Sequence, residues 1–377
     1  MDKAKRKSPY AGEWKPFFRK LPWLLLIPAF YGIGILAAKY PDTTENVYSA
    51  PLYPYISRAL GYITSLARGV SVSECVVLGL IVAVLVIVFI VKLFSGRLRF
   101  AQLMSFIMGI CVFASFMFAL FYIDWGFNYM RPSLYKRMDL SLEQRPVEEL
   151  DALCKRLAAS ANALRGSLKE DENGVFALEK DSTAEFSKIP AAYRLLGADY
   201  SIFSGTVYPA KGVKASTAMS YGGIAGIYIP YFAEANVNIN QPNLLIASSA
   251  AHETAHYLGV AREDEANFVS YLACTYSLDA SVRYSGTMLA LINCANQLYA
   301  SDAELYRRLV SEYYSEGMLC DLRDYNAYWD SFEGPIEEAV DNMNDNYLKF
   351  NKQENGVKSY GMMVDLLLAY YAKGSAQ

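Results

Sequence analysis

The sequence predicts an α+β chain, mostly helical, in which three apolar N-terminal helices precede a folded domain. Three observations predict it. Apolar residues make up 53% of the 377 and crowd into the first third, the text turns charged past Trp125, and everything from Pro242 onward carries helical spacing. The length exceeds what one compact core normally holds. A net charge of -3 gives no basis for a nucleic-acid partner.

Three uncharged apolar stretches, at about residues 21–38, 75–91 and 102–123, each approach the roughly 20 residues needed to cross a bilayer. Pro22, Pro28, Gly32 and Gly34 fall in the first, which membrane helices tolerate better than soluble ones. The basic cluster Lys3, Lys5, Arg6, Lys7, Lys15, Arg19 and Lys20 marks residues 1–20 as cytoplasmic. The next connection mixes Lys39, Arg58 and Arg68 with Asp42, Glu45 and Glu74 and reads as external, and Arg97 and Arg99 make the tight turn after the second stretch internal. Three crossings then put residues 124–377 outside the cytoplasm. Arg131, Lys136 and Arg137, close behind the third stretch, oppose that orientation.

Within residues 124–377, Leu150, Leu153, Leu157 and Leu164 mark a helix running to about Leu168, and Glu170 to Asn173 an exposed turn. From Tyr200 to Asn238 the text favours short strands, as in Ser201-Ile202-Phe203 and Ile227-Tyr228-Ile229, among Gly222, Gly223 and Gly226. No internal repeat is present. Of six cysteines, Cys75 and Cys111 lie in the apolar stretches. Cys154, Cys274, Cys294 and Cys320 form no CxxC pair and are expected to be free buried thiols.

The chemistry concentrates at His252-Glu253-Thr254-Ala255-His256. Pro242 suits the first turn of a helix that Leu244, Leu245, Ala247, Ala250, Ala251, Ala255 and Leu258 continue. Two imidazoles four residues apart share one helix face and can bind one tetrahedral Zn2+. Glu253 can then accept a proton from a water whose pKa the zinc lowers, and pass it to a leaving amine. HExxH alone is a weak signal, but the chain has two histidines and both are here. Random scatter would place them so on the order of once in several thousand chains.

No histidine remains for a third ligand. Gly259 can end the helix in the left-handed conformation, and a second helix opens at Arg262-Glu263-Asp264-Glu265 and runs to about Leu278. On it Glu263, Asn267, Ser270 and Cys274 form one stripe. Aimed at the metal, that stripe makes Glu263 a ligand and Asn267 a partner of a ligand histidine. Glu265 competes, but two residues away it points about 200° from Glu263, so both cannot face one ion. Acidic residues are also favoured in the first turn of any helix.

His252-Glu253-x-x-His256 followed by Glu263-x-x-Ala266-Asn267 resembles the gluzincin arrangement of the zincin metallopeptidases, in which a second helix donates a glutamate. Met219-Ser220-Tyr221, Glu234-Ala235-Asn236-Val237-Asn238, Tyr284-Ser285-Gly286 and Val357-Lys358-Ser359-Tyr360-Gly361 resemble DUF3810, a bacterial family of multi-pass membrane proteins, over nearly the whole chain. Arg262 stands where the related HExxHxxGxxH pattern has a histidine, and cannot bind zinc. The resemblance implies a zincin-like domain behind the membrane anchor. It also implies an extended substrate beside Gly226-Ile227-Tyr228-Ile229-Pro230, as zincins lay theirs beside an edge strand. Tyr284 is the tyrosine singled out as an electrophilic partner.

The expected function is that of a membrane-anchored zinc metallohydrolase, a peptidase with Glu253 as general base, His252, His256 and Glu263 as metal ligands, and a peptide or protein substrate. The alternative is a membrane-bound sensor or scaffold with a structural or silent zinc site, for which the Glu253 carboxylate would be unnecessary. Polar residues flanking the motif disfavour intramembrane proteolysis. The lack of charge inside the three stretches disfavours a transporter.

Overall fold

A computed structural model describes residues 13–94, 99–350 and 361–375. Lys3, Lys5, Arg6, Lys7, Arg97 and the segment 357–360 lie outside them.

Three helices are long and apolar enough to cross a membrane. α1 (Lys15–Lys39) tightens to a 3-10 turn at Leu21–Leu25, where Pro22 has no N–H to donate. After α2 (Tyr53–Ser65) come α3 (Val72–Phe94) and α4 (Phe100–Asp124). α1 packs on α4 through Trp23 against Phe116 and Phe30 against Tyr122. Gly34 permits the approach, since a Cβ there would lie 2.8 Å from the Tyr122 ring. By contrast, every residue of α3 from Cys75 to Ile90 is exposed, an apolar surface suited to lipid. Glu13 pairs with Arg99 at one end of this group, while the C-termini of α1 and α4 and the N-terminus of α3 meet the folded body at the other.

That body comprises α5 (Val147–Arg165), α6 (Ser182–Asp199), β1 (Lys211–Val213), α7 (Ser216–Ser220), β2 (Gly226–Ile229), β3 (Glu234–Asn238) and α8 (Asn243–Tyr257). It continues with α9 (Glu263–Thr275), α10 (Ala280–Ser301), α11 (Ala303–Tyr313), α12 (Glu316–Asp330), α13 (Pro335–Phe350) and α14 (Met362–Ser375). Mostly helix, it carries one small sheet in the order β1-β3-β2, with β1 parallel and β2 antiparallel to β3. The apolar face of α5, with Leu150, Leu153 and Leu157 buried, closes one side of a core through which α8, α9 and α10 run.

The stretch Ser201–Phe203, expected as a strand, is a 3-10 turn. Phe203 N–H donates back to Tyr200 and Ser204 N–H to Ser201, so the segment continues the turn that ends α6 and drops Phe203 into the core. Ile202 and Phe203 are β-prone, but with no strand beside them among the described residues they have no ladder to join. Ile227–Ile229 is a strand as expected, and β2 lies at the sheet edge.

The folded body is not confined to residues 124–377. The connection between α1 and α3 is built into it: Glu45 takes a bidentate ion pair from Arg131, and Tyr53 donates to the Tyr257 carbonyl at 2.8 Å. Glu234 on β3 caps α3, accepting from the N–H groups of Val72 and Ser73 at 3.1 and 2.8 Å, and it pairs with buried Lys211 at 2.7 Å. Glu74 in the first turn of α3 accepts in return from Lys214 and Ala215 N–H, just ahead of α7. Arg131 is thus buried on Glu45, with Arg137 3.6 Å from the same carboxylate, which gives these two cations a structural use at the end of α4. Cys154, Cys274 and Cys294 are buried free thiols as expected, whereas Cys320 is only half-buried, beside Glu316 and Arg323.

Candidate metal centre

α8 carries His252, Glu253 and His256 into the middle of the body and ends directly after them. Gly259 adopts φ +81°, its N–H donates to the His256 carbonyl, and Val260 N–H donates to Ala255, the paired bonds of a glycine-terminated helix. A Cβ on Gly259 would stand 2.9 Å from the Tyr53 ring. The reversal sends the chain into α9 antiparallel to α8 and returns the Val260 carbonyl toward His256.

Each imidazole is oriented by a bond at Nδ1. His252 Nδ1 lies 2.8 Å from Asn267 Oδ1, and His256 Nδ1 lies 2.7 Å from the Val260 carbonyl. Because both partners are acceptors, each imidazole in its neutral form carries its proton on Nδ1 and turns the Nε2 lone pair toward the cluster. The two Nε2 atoms are 3.0 Å apart, and Glu263 completes the group with Oε2 3.1 Å from His252 Nε2 and Oε1 3.6 Å from His256 Nε2. A tetrahedral ion with bonds of about 2.0 to 2.1 Å needs donors separated by about 3.3 Å, so these three residues could hold one metal ion.

Electrostatics agree with the geometry. Burial alone would raise the Glu263 carboxyl, but the two histidines outweigh it and hold the group well below the usual carboxylate range. Burial pulls His256 down, and the Glu263 carboxylate overrides this and lifts it to about 9. Two acceptor nitrogens and an anion at these distances repel one another unless a cation sits among them, whether a proton or a metal ion.

Glu253 lies beside the cluster without joining it. It is buried, which raises its pKa against the attraction of His252 and His256, and its carboxylate accepts a bond from the Tyr228 backbone. Gly226 makes the approach possible, because a Cβ there would fall 2.8 Å from Glu253 Cγ. The edge strand and the Glu253 side chain are therefore fitted to each other.

A model of the family described as protein of unknown function (DUF3810) matches residues 48–368. The chain belongs to the DUF3810 family. No curated protein and no solved structure matches it. The matched region of this DUF3810 chain starts inside the connection after α1 and includes α2, α3, α4, the cluster His252, His256 and Glu263, and Glu253 beside it.

The other expectations divide. Glu265 turns away from the cluster, accepting from Leu134 N–H at 2.6 Å and capping a short helical turn. Ser270 of the predicted stripe donates to the Ser248 carbonyl on α8, and Cys274 packs against Gly286 on α10. Tyr284 is not at the centre. Its hydroxyl donates to Asp321 at 2.6 Å beside the buried Arg165–Asp321 pair, and its ring packs on Phe176. A tyrosine buried in a core must find an acceptor, and Tyr284 finds it on α12. The tyrosine beside the cluster is Tyr228, with its ring centroid 6.4 Å from that of His256 and its hydroxyl 3.2 Å from that of Tyr53. Trp125 and Tyr53, both missed in the sequence, hold the last carbonyls of α8. Trp125 stands immediately after an apolar stretch, a place where aromatic residues gather, and that was the available signal.

Proposed function

We propose that this protein is a membrane-anchored, zinc-dependent metallohydrolase, a peptidase whose folded domain lies outside the cytoplasm. The observation that carries the reading is the convergence of two Nε2 lone pairs and the Glu263 carboxylate at 3.0 to 3.6 Å, with Nδ1 of each histidine already bonded. Histidine and carboxylate donors suit zinc, and three protein ligands leave a fourth position open, as catalytic rather than structural sites do. Zinc bound there supplies Lewis acidity, lowering the pKa of water and polarising a carbonyl. Glu253, buried and poised beside the cluster, takes the proton from the attacking water and gives it to the leaving amine. The outer edge of β2, bare of another strand among the described residues, accepts the substrate backbone in extended form, and Pro230 ends that edge. This arrangement is the zincin-like one that the spacing of His252, His256 and Glu263 resembles.

The three long apolar helices cross the membrane in this reading, with residues 1–20 inside. Their shared end at the folded body accords with three crossings, since the connection after α1 and the chain after α4 then lie on one side.

Metal analysis of the purified full chain, joined to a peptide-library cleavage assay with wild type and Glu253→Gln, tests the function. About one zinc per chain and cleavage by the wild type alone are expected. Zinc retained with no cleavage of any peptide would favour the sensor or scaffold reading, and no retained metal would overturn both.

A further inference from the structure

α2 has two unlike faces. Tyr53, Ser57, Gly61 and Thr64 recur at helical spacing and are buried against the folded body. Tyr53 donates to the Tyr257 carbonyl, Thr64 to that of Phe232, and a Cβ on Gly61 would lie 2.9 Å from the Tyr257 ring. On the opposite side Tyr55, Tyr62, Ile63 and Leu66 are 70, 58, 62 and 64% exposed, with Leu52 and Val70 exposed at the two ends and Arg58 and Arg68 among them. So large an apolar surface on one helix face needs a cover.

The chain itself indicates which. α2 is strung between the end of α1 at Lys39 and the start of α3 at Val72, two helices of membrane length, so it is held at the level where both leave the bilayer. Two further contacts tie the candidate centre to that level. Trp125, the first residue after α4, donates its indole N–H to the His256 carbonyl at 3.1 Å. Tyr231, just past the edge strand, donates to the Met117 carbonyl at 3.2 Å, about 10 Å below the end of α4 at 1.5 Å per residue.

We propose that α2 lies in the plane of the bilayer interface with its Tyr55–Tyr62–Ile63–Leu66 face in lipid, and that the centre acts on membrane-anchored polypeptides at bonds close to the anchor. The second part rests on the hydrolase reading. Apolar and aromatic residues with flanking arginines are the composition of an interfacial helix. Tyr53 of that helix bonds the Tyr257 carbonyl at the His256 end of α8 and meets the Tyr228 hydroxyl of β2, so a substrate strand on β2 runs near the membrane surface. A polypeptide tethered by its own span or lipid reaches β2 without leaving the surface.

The full chain, reconstituted in phosphatidylcholine and phosphatidylglycerol vesicles carrying a photoreactive group high on the acyl chain, should give lipid adducts on residues 52–66. Adducts confined to α1, α3 and α4, or cross-links from α2 to a second copy, would overturn the placement. For the substrate, a peptide cut in the library assay is joined to a single-span anchor through spacers of about 5 or about 25 residues. Effective concentration falls as about the −3/2 power of length, so the short spacer should be cut roughly tenfold faster. Equal rates, or a faster long spacer, would place the centre away from the surface and sink the proposal. The double variant Tyr62→Glu with Ile63→Glu should lose the α2 adducts and the spacer preference while cutting the free peptide in detergent as the wild type does. If no peptide is cut, anchored or free, the hydrolase reading and the substrate class fall together, and the lipid adducts still decide where α2 lies.

Discussion

The Trp125 indole stands edge-on to the His256 imidazole, ring centroids 6.0 Å apart, while its Nε1–H bonds the carbonyl of the same histidine. One residue beyond an apolar helix thus fixes both the ring and the backbone at the end of α8. Trp125→Phe keeps the ring contact and removes the donor. The His256 carbonyl still accepts from Gly259 N–H, so the expected loss is about 0.5 to 1.5 kcal/mol of stability in a denaturation series, with zinc still bound. Loss of the metal in that variant would show that the indole does more than hold the helix end.

Glu253→Gln preserves shape and removes the carboxylate proposed as the base. Zinc content should stay at the wild-type level while turnover falls at least about a hundredfold. Gly226→Ala should act on the same group from the other side, since the new Cβ must push Glu253 or β2 away. Turnover should fall with metal content unchanged, and wild-type activity in either variant would contradict the role given to Glu253.

Zinc retention on dialysis should separate the acidic residues of α9. Glu263→Ala should abolish it, and Asn267→Ala, which frees the His252 ring, should weaken it by about 10- to 100-fold. Glu265→Ala should leave the metal in place and instead cost about 1 to 3 kcal/mol of stability, because the buried Leu134 N–H loses its acceptor. If Glu265→Ala released zinc and Glu263→Ala kept it, the ligand assignment would be reversed.

The Glu234–Lys211 pair links the sheet to the start of α3. Burial raises the Glu234 carboxyl, but Lys211 and the Ser73 hydroxyl and N–H together hold it below its usual 4.5. A carboxyl lowered on folding adds stability above its unfolded pKa and loses it as pH falls through the folded value. The contribution should therefore be complete above about pH 5 and fade below about 4.5. Glu234→Gln should remove that acid dependence. At neutral pH it should cost about 3 to 5 kcal/mol, because Lys211 stays buried without its anion. Thermal unfolding of both proteins across pH 3.5 to 7 checks it, the limits being set roughly by the same pKa range.

In the proposed topology, three crossings put the exposed turn at Asp171 on the outer side. Protease added to intact cells, with any outer envelope made permeable, should cut there. Cleavage seen only after lysis would reverse the orientation.

The sequence by itself determined what helix geometry determines. Residues four apart share a face, so His252 and His256 had to converge. Residues two apart diverge, so Glu263 and Glu265 had to face different partners, and Asn267 had to follow Glu263. The three apolar helices were equally legible, because length and hydropathy are local properties. Left-handed Gly259 followed from the turn that the chain needs between two adjacent helices.

Tertiary structure alone decided the rest. Trp125 and Tyr53 meet the end of α8 across 131 and 204 residues, and Glu234 caps α3 from 161 residues away. Among 30 tyrosines, composition could not tell Tyr284, bonded to Asp321 in the core, from Tyr228 beside the cluster. Ser201–Phe203 looked like a strand because its side chains suit one, and it became a 3-10 turn because no neighbouring strand offered a ladder. Local propensity fixes what a segment can be. The partner that satisfies a buried donor, carboxylate or strand edge is supplied by packing between distant parts of the chain, and no local pattern encodes it.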